Sequence, residues 1–223
     1  MTEKSQPLLK IGKYDIKRKL GRGAMGVVYE AFDPFVQRTV AIKVAHSLKD
    51  IDDKTSQKLK AAFFSEVYSA GKMHHPSVVS VHAAGEVDDY NNKVMDFVDG
   101  HTLQEYDTGD TNLSINQIVD VIYQCAKGLD YVHRQGVIHR DLKPGNIMLS
   151  IDGEVKIMDF SIAHIDVGLE GHDTEVQGSP MYMPPEQLSE EKRLGPQSDI
   201  YSLGAVMYAL LAHKAPYKAS NLE

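Results

Sequence analysis

Asp141, Lys143, Asn146 and Asp159 are the side chains of this 223-residue chain whose types and spacing point most directly to chemistry. They lie in the run His139-Arg140-Asp141-Leu142-Lys143-Pro144-Gly145-Asn146 and in Asp159-Phe160, thirteen residues further on (159 − 146). A carboxylate at 141 can accept a proton from an attacking hydroxyl, and an ammonium at 143 can neutralise charge on a group in transfer. Asn146 and Asp159 both offer oxygen, the ligand type that hard Mg²⁺ takes. A second cluster lies upstream in Gly21-Arg22-Gly23-Ala24-Met25-Gly26-Val27-Val28. Its glycines let backbone approach phosphate oxygens with no Cβ in the way. In Val40-Ala41-Ile42-Lys43 a charge sits in an apolar strand, 22 residues after the first glycine (43 − 21), and calls for a partner. Glu66 is the only acid in residues 57–73. Plainer readings stand beside these: a glycine hairpin, an edge-strand lysine, a solvated helix face, polar loop residues.

The elements that must position these groups follow from pattern. Residues 14–45 read as three strands, with Val27, Val28 and Tyr29 as strand formers, a turn at Asp33-Pro34, and a further apolar run over 39–44. Charged residues 48–55 read as a loop. Residues 57–73 have helical spacing, with apolar Leu59, Ala62, Phe63, Val67 and Ala70, and His75-Pro76 is expected to end the helix. Residues 78–82 and 93–98 read as short strands around a turn at 88–92. Asp99-Gly100 breaks the pattern, and helices follow. Ser114 is a candidate N-cap, and Ile115, Ile118, Ile122, Cys125, Leu129 and Val132 form a core stripe. Residues 147–149 and 155–158 pair around Asp152-Gly153, residues 166–178 read as mobile, and 197–213 form a last helix. No repeat or low-complexity tract occurs. A small sheet-rich part joined to a helical part predicts two lobes with a ligand cleft between them.

Composition sets bounds. Hydrophobic residues make up 42% and charged residues 25%, ordinary for a globular protein, and the length allows a sizeable core. The net charge of −7 argues against a non-specific nucleic-acid partner. A single cysteine, Cys125, permits no intrachain disulfide and suggests a reducing, cytoplasmic setting. Residues 1–10 are polar, unlike a signal peptide. The longest apolar stretch, 200–212, is shorter than the roughly 20 residues a membrane helix needs. No membrane segment is expected in this chain, and an anchor beyond residue 223 stays open.

Together these motifs resemble the catalytic domain of eukaryotic-type (Hanks-type) serine/threonine protein kinases, with a bacterial flavour in Met181-Tyr182-Met183 and Pro185-Glu186-Gln187. The resemblance implies an α+β fold of two lobes. It places an N-terminal extension at 1–13, an antiparallel N-lobe with one main helix at 14–98, and a mostly helical, incomplete C-lobe at 99–223. It implies ATP and Mg²⁺ as cofactors and protein serine or threonine hydroxyls as substrates. Asp141 becomes the base, Lys143 the charge stabiliser, Lys43 the ligand of the α- and β-phosphates, Glu66 its ion-pair partner, and Asn146 and Asp159 the metal ligands. Nucleotide contacts fall on Leu20, the loop Gly21, Arg22, Gly23, Ala24, Met25, Gly26, Val27 and Val28, on Ala41 and Lys43, on Met95, Asp96 and Val98 of the hinge, and on Met148. Adenine is held by backbone at Asp96 and Val98. Lys143, two places after Asp141, resembles serine/threonine rather than tyrosine kinases. Arg140 implies a grip on a phosphorylated segment, with Thr174 the candidate for self-association and autophosphorylation. Residues 178–186 resemble a substrate-receiving segment with Ser179 in the usual Thr position, and Asp199 the anchor of the catalytic loop.

Three departures stand out. Ser161 replaces the glycine after Asp159-Phe160 and resists positive φ. Pro184 replaces an alanine. The chain stops at Glu223, before the family's last helices and the arginine that pairs with Glu186, so Glu186 is expected to be a buried acid lacking its partner. The leading expectation is a serine/threonine protein kinase. The alternatives are a truncated nucleotide-binding pseudokinase or scaffold without catalysis, and a small-molecule kinase of similar fold, which the 178–186 segment argues against.

Overall fold

The computed structural model describes residues 10–23, 26–45, 53–87, 90–108, 112–160, 180–188 and 194–217. They fall into two units: Met1–Val67 with Ser80–Phe97, and Tyr68–Val79 with Val98–Glu223. The architecture is α+β, as expected.

The first unit is a six-stranded antiparallel sheet of β1 (Lys10–Ile11), β2 (Tyr14–Gly23), β3 (Gly26–Asp33), β4 (Arg38–Ala45), β5 (Val81–Val87) and β6 (Tyr90–Asp96), in the order β1-β2-β3-β4-β6-β5. The turn after β3 forms where Asp33 Oδ1 accepts the Phe35 N–H at 3.0 Å, local bonding that Asp favours before Pro34. Alternation buries Ile11, Ala31, Val40, Ile42 and Val94 in one cluster on one face. Three strands over 14–45 match the sequence pattern. Helix α1 (Asp53–Ala70) starts earlier and ends earlier than expected. It ends at Ala70, before His75-Pro76 is reached, with the Met73 N–H turning back to the Ala70 carbonyl at 3.1 Å. Val78 and Val79 are not part of β5. Val78 bridges Ile157 in the second unit, where both valines are buried. β6 begins at Tyr90, inside the expected turn.

The second unit holds α2 (Leu103–Thr108), α3 (Ile115–Arg134), α4 (Pro185–Leu188) and α5 (Pro196–Ala212), with a small sheet of β7 (Gly100–Thr102), β8 (Ile147–Ser150) and β9 (Val155–Ile157). Ser114 caps α3 as predicted: its Oγ accepts the Gln117 N–H, and Gln117 Oε1 accepts the Ser114 N–H at 2.9 Å. The core stripe needs two corrections, the first being that Ile122 is only half-buried. Ile118, Cys125, Leu129 and Val132 are buried with Val121, but Ile115 is 69% exposed, because the first turn of α3 overhangs the core. Short β7 and α2, absent from the sequence reading, follow the Asp99-Gly100 break. Among the described residues no helix is long and apolar enough to cross a membrane.

Gly100 is where β7 presses on β8: an added Cβ would meet the Leu149 carbonyl oxygen at 2.1 Å. Gly100→Ala is expected to destabilise the protein by about 2–3 kcal/mol in urea unfolding, the range for overpacking against a backbone that cannot yield. Burial pushes the Cys125 thiol up to about 12. Native protein at pH 8 should therefore resist alkylation by iodoacetamide and react only once unfolded; rapid native labelling would contradict the packing of α3.

Candidate active site

In the first unit β2 and β3 meet at Gly23 opposite Gly26. Gly26 has φ +145°, and a Cβ there would meet the Val44 carbonyl oxygen at 2.0 Å, so only glycine fits. Register then arranges the faces. Lys43 lies opposite Val28 on β3 and Lys93 on β6, and Ala41 lies opposite Met95. Cross-strand partners share a face, so Val28, Ala41, Lys43 and Met95 come together on the side of the sheet away from the Ile42 and Val94 cluster. Lys93, buried beside Lys43, went unnoticed in the sequence. Val27, opposite Val44, faces the other way. Leu20, Gly21 and Arg22 lie along β2, Leu20 with 41% of its surface exposed. Asp96 ends β6.

In the second unit the carboxylate of Asp141 is held from two sides. Its Oδ2 accepts from Lys143 Nζ at 2.8 Å and from Asn146 Nδ2 at 3.0 Å, and Asn146 also donates to the Asp141 carbonyl at 2.7 Å. These bonds orient the Asn146 amide nitrogen toward Asp141, and neither of them uses its Oδ1.

His139, fully buried, ties this loop to the 158–160 segment. Its Nδ1 accepts the Asp141 N–H at 3.3 Å, while Nε2 donates to the Met158 carbonyl at 2.8 Å, so the ring proton sits on Nε2. Phe160 packs on its ring at a centroid distance of 4.7 Å. The Met158 N–H donates to the Asn146 carbonyl at 2.9 Å, which sets Asp159 beside Asn146 in the chain path. Asp159 has φ +52°, a left-handed conformation that Asp tolerates better than most residues.

Beneath the loop lies Asp199, 1% exposed, in the first turn of α5. Its Oδ2 accepts the His139 N–H at 2.8 Å and His133 Nε2 at 2.7 Å, and its Oδ1 accepts the Arg140 N–H at 2.9 Å. Arg140 has φ +67°, so two adjacent amides turn toward one carboxylate. Gln187 Nε2 donates to the Arg140 carbonyl at 3.0 Å. Asp199 thus anchors the loop, as the sequence suggested; the roles of His133 and His139 were not foreseen. Glu186 corrects an expectation: it is half-buried rather than buried, and it accepts from Ser198 Oγ at 2.8 Å.

Val98 and Met148 belong to the second unit, Met148 in β8 opposite Lys156. The side chain of Glu66, which lies in α1, falls outside the described residues, as do Ala24, Met25, Ser161, Thr174, Ser179 and the stretch 166–178.

The donor set suits Mg²⁺ bound with a phosphate: two protein oxygens, from Asn146 and Asp159, with the rest left to phosphate and water. Among the described residues no cluster of three or more His, Cys, Asp or Glu forms an all-protein metal cage.

The protein kinase domain model matches residues 14–223. A probable serine/threonine-protein kinase of Streptomyces coelicolor is 36% identical over 215 residues, covering 92% of this chain and 31% of its own length. The probable serine/threonine-protein kinase PknB of Lactococcus lactis is 35% identical over 222 residues, 96% of this chain and 34% of its own. The serine/threonine-protein kinase PrkC of Bacillus subtilis is 35% identical over 215 residues, 94% of this chain and 32% of its own. The chain spans about a third of the length of these curated relatives.

The Asp199 anchor has a measurable consequence. Asp199→Ala strands two backbone donors and removes what holds Arg140 at positive φ, at about 1–3 kcal/mol for each buried donor. Urea unfolding followed by circular dichroism should show a loss of about 3 kcal/mol or more, and an unchanged midpoint would refute the anchor.

Proposed function

The chain belongs to the protein kinase family, and we propose that it transfers the γ-phosphoryl group of ATP to serine or threonine hydroxyls of protein substrates. Members of the family use ATP and a divalent metal. The observation that carries this reading is the carboxylate of Asp141, oriented by Lys143 and Asn146 and joined through the His139 ring to the segment that bears Asp159.

Each side chain has a share. Both bonds to Asp141 use Oδ2, so Oδ1 is the oxygen that orients and finally deprotonates the substrate hydroxyl. Lys143, which donates to Asp141 at 2.8 Å, neutralises charge on the phosphoryl group in flight. Asn146 Oδ1 and the Asp159 carboxylate hold Mg²⁺, which when bound screens the phosphate oxygens. Lys43 grips the α- and β-phosphates, with Glu66 as its partner, and the glycines at 21, 23 and 26 let backbone approach the phosphates. The adenine contacts proposed are backbone at Asp96 and Val98 and the side chains of Val28, Ala41 and Met148. Thr174 is the proposed site of autophosphorylation between two copies, and the setting is the reducing cytoplasm.

Purified protein with labelled ATP, Mg²⁺ and a generic protein substrate should yield phosphoserine or phosphothreonine. Asp141→Asn keeps the shape but removes the base. It is expected to lower kcat by about 10²- to 10⁴-fold, the usual worth of general base catalysis, with KM for ATP little changed. Absence of transfer by the unaltered protein, with Asp141→Asn giving the same background, would remove the enzymatic reading. Stabilisation by ATP and Mg²⁺ in thermal unfolding, without transfer, would leave a nucleotide-binding scaffold in its place.

A further inference from the structure

Asp96 closes β6, and both its backbone and its side chain bond to the start of the neighbouring segment, Ser80 just before β5 and His82 within it. Its N–H donates to the Ser80 carbonyl at 3.0 Å, and the Ser80 N–H donates back to Asp96 Oδ2 at 3.1 Å. The other carboxylate oxygen, Oδ1, accepts from His82 Nε2 at 2.7 Å. His82 reaches it because β5 carries one extra residue. Val81 pairs with Met95 and Ala83 with the very next residue, Val94, so His82 is left without a cross-strand partner. A bulge of this kind re-aims a side chain, and here it aims His82 at Asp96. The pair is partly shielded, with side-chain exposures of 23% and 33%.

Register also separates what Asp96 can do with its two ends. Asp96 is opposite Val40, on the face of the buried cluster, whereas Ala41, Lys43 and Met95 occupy the other face. The carboxylate therefore points away from the phosphate-binding lysine. Whatever it does for a ligand on that far side passes through the Asp96 backbone.

We infer that His82 and Asp96 form a positioning pair that holds the backbone at the end of β6 and so sets the affinity for the nucleotide base. The inference rests on the kinase reading above, in which backbone at Asp96 and Val98 holds adenine. Pinning that backbone before binding removes an ordering cost from association. Contacts to the base are made equally before and during phosphoryl transfer, so their loss falls on KM and not on kcat.

His82→Ala should raise KM for ATP about five- to tenfold with kcat within twofold. His82→Gln keeps an N–H donor and should recover most of the loss. In a double-mutant cycle with Asp96→Ala the effects on KM should be far from additive, because the His82–Asp96 bond is lost in both variants, Asp96→Ala also releasing the Ser80 N–H. Inorganic tripolyphosphate, which lacks a base, should inhibit unaltered protein and His82→Ala with the same Ki. Unchanged KM for ATP in His82→Ala, additive effects in the cycle, or equal weakening toward ATP and tripolyphosphate would each overturn the inference. Unaltered protein that fails to bind ATP at all would overturn the kinase reading and this inference with it. Normal ATP binding by unaltered protein, with indifferent His82 variants, would remove this inference alone.

Discussion

The three hydrogen bonds accepted by Asp199 are the constraint on which the rest of the candidate site depends. A carboxylate buried to 1% exposure is costly unless donors replace the water it loses. His133, the His139 N–H and the Arg140 N–H supply them. The last two can converge only because Arg140 adopts φ +67°, a conformation that costs a non-glycine residue about 1–2 kcal/mol. Strain in the loop and desolvation of the acid are thus solved together, since neither geometry is stable without the other. The consequence is directional. With residues 139 and 140 held from below, the His139 ring is set, its two nitrogens reach Asp141 and Met158, and Asp141 and the 158–160 segment are placed by one imidazole.

The first unit achieves order differently, through strand register. One alternation decides which residues join the Ile42 and Val94 cluster and which share the face of Lys43. A slip of one residue on β4 would send Lys43 into the apolar cluster, so the burial of Val40 and Ile42 fixes the lysine's side as firmly as any contact of its own. Gly26 locks the same register from the other flank, because no side chain fits between it and the Val44 carbonyl. The buried Lys93 opposite Lys43 brings two ammonium groups to one strip of sheet, an arrangement that strand pairing disfavours unless anionic groups serve both.

What could be read from the sequence was local. The run 139–146 and its resemblance to a kinase catalytic loop gave the grouping of Asp141, Lys143 and Asn146. Local pattern gave the Ser114 cap and the strands flanking the glycines. It misjudged Ile115, since helical period says which face is apolar but not where the core ends along the axis. It placed the end of α1 at a proline when the helix ends sooner, at Ala70, and it passed over β7, whose three residues carry no period. The deepest omissions were His133, His139 and His82. Each acts on a partner distant in the chain or through a bulge, and a bulge leaves no mark in composition. Glu186 shows the reverse error: an acid judged partnerless by comparison with a pattern accepts a hydrogen bond from Ser198, twelve residues away (198 − 186).

These omissions share a physical cause that bears on how such a site tolerates change. Of the groups assigned to chemistry, Asp141, Lys143 and Asp159 are partly exposed and Asn146 is buried, and the residues that hold them, His139 and Asp199, are buried. An exposed acid can be exchanged for its amide with little effect on folding, because water takes over its lost bonds. A buried acid with three donors cannot, since each donor it releases is stranded away from water. Asn146 apart, chemistry and stability are therefore carried by different side chains in this loop. A chain could lose the first while keeping the second, and the motif residues alone would then say nothing about whether the loop was still held in shape. The hydrogen bonds to Asp199 say it directly, and for that reason the buried polar residues of this unit carry more information about the integrity of the site than the residues that define its motif.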